Sequence, residues 1–309
     1  MLTIHASFME EVELIKKGNM NCTICKDTIS KSNNTKEHII PSSIGGRKKI
    51  SSFICRNCNS TTGASWDAEL AKQLKSLCLI CNISRDRGVT PPVTIQTTKG
   101  ETVKYHAGGI IKKDKPSVSE KRDGNLVSIS IQARDKEEAK IILRKKKKKF
   151  PKLDMKEALA QIEEYSSSPD DLYRFKFNFG NESSMKSAIK SLLATISDMG
   201  INPNVCELAI NFLDCSDTIP IGYYYEQDLI QNRVTGIPIH CFYVKGCKNK
   251  KTITGYVELF GSYRMVSLLS SNYIGEDFEH HHALDPISGK EQEVKISLDL
   301  NKDEIIQGI

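Results

Sequence analysis

Four cysteines and one acid–imidazole pair are the residues of this sequence whose types and spacing promise chemistry. Cys22 and Cys25 form one Cys-x-x-Cys pair and Cys55 and Cys58 a second, and each pair lies among turn formers or polar residues that let thiolates converge. Two such pairs supply the four soft ligands of a tetrahedral zinc. Four thiolates leave no open coordination position, so the expected Zn2+ is structural rather than catalytic. A third pair, Cys78 and Cys81 in SLCLICNIS, has the apolar neighbours Leu77, Leu79 and Ile80 and no fourth pair to complete it. Buried free thiols are expected there. Cys206, Cys215, Cys241 and Cys247 have no ligand-like spacing and are also expected in the core.

Between the two pairs lies Glu37-His38-Ile39-Ile40-Pro41, followed by Gly45-Gly46, and Asn59 comes directly after Cys58. This order of Cys-x-x-Cys, Glu-His-Ile-x-Pro, Gly-Gly and Cys-x-x-Cys-Asn resembles the HNH (ββα-metal) endonuclease family over residues 20 to about 75. The resemblance implies that His38 is the general base and that Glu37 and Asn59 are ligands of a catalytic divalent cation, Mg2+ or Mn2+. Many family members carry a further Asn about nine residues before the final Asn or His, where it braces the loop that aims the base. Ile50 stands at that place here, which leaves the support of His38 unidentified.

The chemistry is coherent on its own terms. Phosphodiester hydrolysis needs a deprotonated water, which a neutral imidazole can provide at cellular pH. It also needs positive charge on the scissile phosphate and leaving oxygen, which a hard cation held by a carboxylate and an amide oxygen can supply. Successive strand residues point to opposite faces, so Glu37 and His38 are expected at a strand end or bulge, and Pro41 agrees with a strand ending there. Gly45-Gly46 allows a sharp turn into a second strand around residues 51–54. Asn59 is then expected to begin a helix over 60–75, with Trp66, Leu70 and Leu74 on its apolar face. Arg47, Lys48 and Lys49 between the strands are candidate phosphate contacts.

The elements farther along are read more coarsely. Turn signals crowd residues 86–126, with short strands expected at 93–95 and 103–105. Leu126 to Ile131 alternates like a strand, and a helix capped by Asp135 follows it. That helix ends in Arg144, Lys145, Lys146, Lys147, Lys148 and Lys149. Such a run is ordinarily a solvated helix end favoured by the helix dipole; its second reading is a phosphate-tracking patch, with Arg144 to Lys147 as the contacts. Residues 172–179 alternate aromatic and polar side chains like a half-buried strand. A helix with Met185, Ile189, Leu192, Leu193 and Ile196 on one face and Gly200 at its end comes next. Strands are expected from 237 onward, including 293–300, whereas His280-His281-His282 before Asp285-Pro286 is expected in a surface loop.

The expected fold class is α+β: an HNH ββα-metal domain with structural zinc at 1–85, a β-rich middle segment with a basic helix at 86–168, and a C-terminal antiparallel sheet with a covering helix at 169–309. The 309 residues carry a net charge of +6, a modest excess that suits a polyanion without identifying one. The opening residues do not read as a signal peptide and no apolar run reaches the roughly 20 residues of a membrane span, so a cytoplasmic protein is expected. Neither a Walker loop nor a dinucleotide fingerprint occurs, so ATP-driven translocation is not expected. Two functions follow. The first is a metal-dependent endonuclease acting on nucleic acid, in particular double-stranded DNA, in a restriction, anti-phage defence or mobile-element setting, with a dimer favoured if both strands are cut. The second is a zinc-knuckle nucleic-acid-binding protein without catalysis; the Glu37-His38 pair favours the first, because a pure zinc ribbon has no use for it.

Overall fold

The computed structural model describes residues 21–86, 88–164, 172–214, 221–298 and 304. The readings for the first twenty residues and for Cys215 lie outside them. The fold is α+β, with several antiparallel sheets and helices packed on them.

The N-terminal unit is a hairpin followed by helices. Strand β1, Asn34–His38, pairs antiparallel with β2, Lys49–Cys55, with a register shift between Asn34 and Lys36. The ladder bond from the Ile39 N–H to the Lys48 carbonyl (3.0 Å) carries the pairing one step past His38. Pro41 then caps a 3-10 turn over Ser42–Ile44, and Gly45, at φ 104°, closes it. The turn is tight: a Cβ on Gly46 would lie 1.7 Å from the Ile40 carbonyl oxygen, so only glycine fits. Ile39, Ile40 and Ile44 are fully buried beneath this turn, which fixes the strand end that carries His38.

Helix α1, Arg56–Thr62, starts earlier than expected. Its N-cap is Cys55, whose sulfur accepts the Cys58 N–H, so Asn59 lies inside the helix rather than at its start. The expected single helix over 60–75 is also interrupted. A π turn at Gly63–Asp67 separates α1 from α2, Ala68–Gln73, and α3 follows at Lys75–Ile80. Leu70 and Leu74 are fully buried as their spacing implies, and Trp66 is half-buried against the same core.

The middle of the chain forms two small sheets. In one, β3 (Val93–Thr97) pairs with β4 (Thr102–Tyr105), and β4 with β5 (Ile111–Lys113). In the other, β6 (Ser117–Asp123) and β7 (Leu126–Gln132) make a ribbon. Helix α4, Lys136–Lys149, packs on β7; Asp135 caps it by accepting the Glu138 N–H at 2.8 Å. A short helix α5, Met155–Ala160, lies against α4. Of the strand expected at 172–179 only β8, Tyr173–Arg174, pairs, adding to β3. The rest makes no ladder; Phe175, Phe177 and Phe179 stack along it instead.

Helix α6, Glu182–Asp198, opens with Asn181 accepting the Ser184 N–H and ends before Gly200, at φ 79°. Helix α7, Glu207–Asp214, packs beside it. The C-terminal sheet runs in the order β13-β10-β11-β12-β9, with β9 Gly222–Tyr224, β10 His240–Cys247, β11 Thr252–Leu259, β12 Tyr263–Ser270 and β13 Phe278–Leu284. His280, His281 and His282 sit on the edge strand β13 rather than in a loop; the ladder with β10 runs from Phe278 to Leu284 and absorbs them. Of the strand expected at 293–300, the described residues 293–298 form only an isolated bridge, between Ile230 and Ile296, and residues 299–300 lie outside the described ones.

Helix α6 is buried along nearly its whole length, from Ser184 to Ile196. It touches the C-terminal sheet through β10, β11 and β13, and the N-terminal unit through β2, α2 and the π turn. One continuous cluster of buried apolar side chains therefore includes Ile39, Ile40, Phe53 and Leu70 as well as Leu192, Phe242 and Val257. A helix covered on all sides normally carries only apolar residues, yet this one buries Lys186 and Lys190.

Candidate active site and metal centre

The cysteine cluster follows from two tight knuckles. The Cys22 N–H bonds to the Asp27 carbonyl, the Lys26 N–H returns to the Cys22 carbonyl, and Lys26 takes a positive φ of 63°. In the second knuckle the Cys55 N–H points at the Cys22 sulfur (3.3 Å) and the Cys58 N–H at the Cys55 sulfur. The four sulfur atoms of Cys22, Cys25, Cys55 and Cys58 lie within 4.8 Å of one another. Cys25 and Cys55 sulfurs are 3.8 Å apart, which is about the edge of a tetrahedron built on Zn–S bonds of about 2.3 Å and far too long for a disulfide. The donor set and its shape fit Zn2+. Burial pushes the Cys25 thiol up to about 11 and the Cys58 thiol higher still; at Cys55 burial is also the largest single influence, but the hydrogen bonds from the Cys58 N–H and the neighbouring thiols together outweigh it and lower that thiol. Among the described residues this is the group of three or more His, Cys, Asp or Glu side chains gathered closely enough to hold a metal. Cys78, Cys206 and Cys241 are buried thiols, as expected, while Cys81 and Cys247 are half-buried.

His38 ends β1 at the surface, with 20% of its side chain exposed. Its Nε2 lies 3.1 Å from Asp86 Oδ2. Desolvation and the nearby Lys49 ammonium lower its pKa, against the opposite pull of Asp86, so the ring favours the neutral form. Nδ1 makes no hydrogen bond among the described residues. Asp86 also takes a bond from Lys49 Nζ at 2.8 Å and faces Arg47 Nη1 at 3.7 Å. Arg47 further donates to the Ser84 carbonyl at 3.3 Å.

Glu37, one residue earlier, points the other way. It is 5% exposed, and its Oε1 accepts a bond from Lys190 Nζ of α6 at 2.5 Å. The same ammonium bonds Asp67 Oδ2 at 2.7 Å and approaches Thr62 Oγ1 at 3.4 Å; Ser187 donates to the other Asp67 oxygen at 2.6 Å. Burial raises the Glu37 pKa while Lys190 opposes it, and the two carboxylates hold Lys190 charged despite its desolvation. Asn59 uses its Nδ2 to tie α1 to β1, donating to Thr35 Oγ1 (3.3 Å) and the Lys36 carbonyl (3.4 Å). Its amide oxygen makes no hydrogen bond among the described residues.

The expected phosphate contacts are differently engaged. Arg47 and Lys49 surround Asp86 beside His38, whereas Lys48 bonds Asp198 at the end of α6 (2.6 Å). On α4, Lys146 and Lys149 converge on Glu120, and Lys147 donates to the carbonyls of Pro151 and Leu153. Arg144, Lys145 and Lys148 are exposed and make no ion pair among the described residues. Sequence reasoning missed Asp86, Asp67 and Lys190. Lys190 lies 153 positions from Glu37 on a helix whose spacing reads as an ordinary apolar face, so no local signal marks it.

Residues 22–75 match the family model described as HNH endonuclease. No curated protein and no solved structure matches the chain. Residues 22–75 thus form an HNH-family domain, and its four cysteines form the zinc-type cluster.

Proposed function

We propose that this protein is an endonuclease that hydrolyses phosphodiester bonds in double-stranded DNA, with His38 as the general base. One observation carries the reading: His38 stands at the end of β1 fixed by the Gly45-Gly46 turn, with its Nε2 on Asp86, no hydrogen bond to its Nδ1 among the described residues, and two cations, Arg47 and Lys49, gathered on the same carboxylate. In this role Nδ1 takes the proton from a water as that water attacks phosphorus and the P–O bond to the leaving oxygen breaks, its electron pair staying on that oxygen, and Arg47 and Lys49 draw the backbone phosphate to the ring. Such contacts position the duplex and read no bases. The exposed Arg144 and Lys145 would add sequence-independent grip. Four thiolates kept for zinc suit a reducing, cytoplasmic setting, where restriction or defence against foreign DNA also takes place.

Of the two expected ligands for Mg2+ or Mn2+, one fits and one does not. The Asn59 amide oxygen is free to bind a hard cation, which would supply positive charge to the leaving oxygen. Glu37 is already neutralised by Lys190, with Asp67 as the second acceptor of that ammonium. In this proposal Glu37 is therefore a structural carboxylate, and a divalent ion depends on Asn59 and the phosphate oxygens of the substrate.

The test is cleavage of supercoiled plasmid by wild type and His38→Ala, with Mg2+, with Mn2+ and with EDTA. Wild type is expected to nick or linearise the plasmid and His38→Ala to lose at least about 100-fold in rate, the scale of a general base. A wild type that binds plasmid yet leaves it intact with every metal would establish the alternative, a zinc-knuckle binding protein. Light scattering in the same buffers reads the dimer expected of an enzyme that cuts both strands.

A further inference from the structure

From the same geometry we infer that Asp86 is the positioning residue of His38, a role that rests on His38 being the general base proposed above. An imidazole can act as base only at the nitrogen that lacks a proton, and the partner of the other nitrogen decides which one that is. Asp86 Oδ2 lies 3.1 Å from Nε2, and an ionised carboxylate only accepts, so the ring must carry its proton on Nε2 and present Nδ1 as the base. Lys49 lowers the Asp86 pKa further, first among the causes, which keeps the carboxylate ionised.

The loop that carries Asp86 is held where this role needs it. Ile83 is buried, with its N–H bonded to the Cys78 carbonyl at 2.8 Å. Arg47 Nη2 binds the Ser84 carbonyl and its Nη1 faces Asp86 Oδ1. Asp86 is thus tied to Arg47 in the segment between β1 and β2 and to Lys49 at the start of β2, the same stretch of hairpin whose strand end carries His38. Asp86 also lies beyond the HNH-matched residues 22–75. Ile50, which faces Glu37 across the ladder, has an apolar side chain that cannot brace the ring, and the brace is supplied from the loop after α3 instead.

The experiment compares Asp86→Ala, Asp86→Glu, Lys49→Ala and His38→Ala in steady-state cleavage of a short duplex, with zinc content and melting temperature as folding controls. Asp86 is partly exposed, so Asp86→Ala is expected to fold. It should lower kcat by about 10- to 100-fold with little change in KM, the same order as the loss when the outer partner that orients a metal-bound histidine is removed. Asp86→Glu should recover part of that loss, and Lys49→Ala should raise KM instead. The inference is overturned if Asp86→Ala cleaves as fast as wild type or faster, or if Lys49→Ala reproduces the whole loss in kcat. An active His38→Ala would instead overturn the function proposed above, so the two failures are distinguishable.

Discussion

At the residue scale the most consequential side chain is Lys190. Its ammonium is 1% exposed and neutralises two carboxylates that arrive from different elements, Glu37 from β1 and Asp67 from the π turn. Removing one member of such a group leaves an uncompensated buried charge, which costs more than the intact group contributes. Lys190→Met is therefore expected to lower unfolding free energy by about 3–5 kcal/mol, read by urea denaturation. The double variant Lys190→Met with Glu37→Gln should recover part of it, because one stranded charge is gone. If Lys190→Met melts like wild type, the ammonium is not what holds Glu37.

At the element scale the hairpin and helices of the HNH domain have little core of their own and depend on a staple. Both knuckles are formed and the four sulfurs converge, so a single metal ion could tie the two knuckles together. The expected content is one Zn2+ per chain. Cys58→Ser should lose it, together with the register between β2 and α1 that begins at Cys55, and with cleavage. Strong chelation should lower the melting temperature, since metal binding adds directly to folding free energy. A cysteine variant that stays zinc-free, folded and active would contradict this. The π turn at Gly63–Asp67 belongs to this scale too: it ends at Asp67, where the helical unit meets α6.

At the scale of the whole molecule the N-terminal unit and the C-terminal sheet share one core, and His240 is a seam between them. Its ring is fully buried; Nδ1 accepts the Phe260 N–H (3.2 Å), so Nε2 carries the proton and donates to the Ile44 carbonyl at 2.8 Å. A second proton would have to enter at Nδ1, against an N–H that already points there. Burial first of all pushes the pKa down to about 4, against the weaker opposing pulls of the Ile44 and Ile239 backbone and of Asp285. The unfolded chain, with an ordinary histidine near 6.5, binds a proton more readily than the folded one. The stability contributed by the neutral ring is therefore complete above about pH 6.5 and is lost as pH falls toward 4, at up to about 1.4 kcal/mol per pH unit. Melting curves between pH 7 and pH 4.5 should show this loss in wild type. In His240→Leu the stability is lower at neutral pH but the slope is flatter; an unchanged slope would assign the acid sensitivity to other groups.

The sequence by itself determined what is local. The Cys-x-x-Cys pairs, the Gly45-Gly46 turn, the Asp135 cap and the apolar face of α6 each follow from spacing or from one backbone requirement, and each forms as its residues dictate. The tertiary structure decided everything that depends on which surfaces meet. Glu37 received its partner from 153 residues away and His38 from 48, because packing α6 and the loop after α3 onto the hairpin brings charges together that no sequence period encodes. Asn59 fell inside a helix because Cys55 took the cap, and His280 to His282 became strand because β10 offered an edge to pair with. Local propensity is set by each residue and its near neighbours, whereas burial and pairing are set by the partner surface, and only the folded chain supplies that partner.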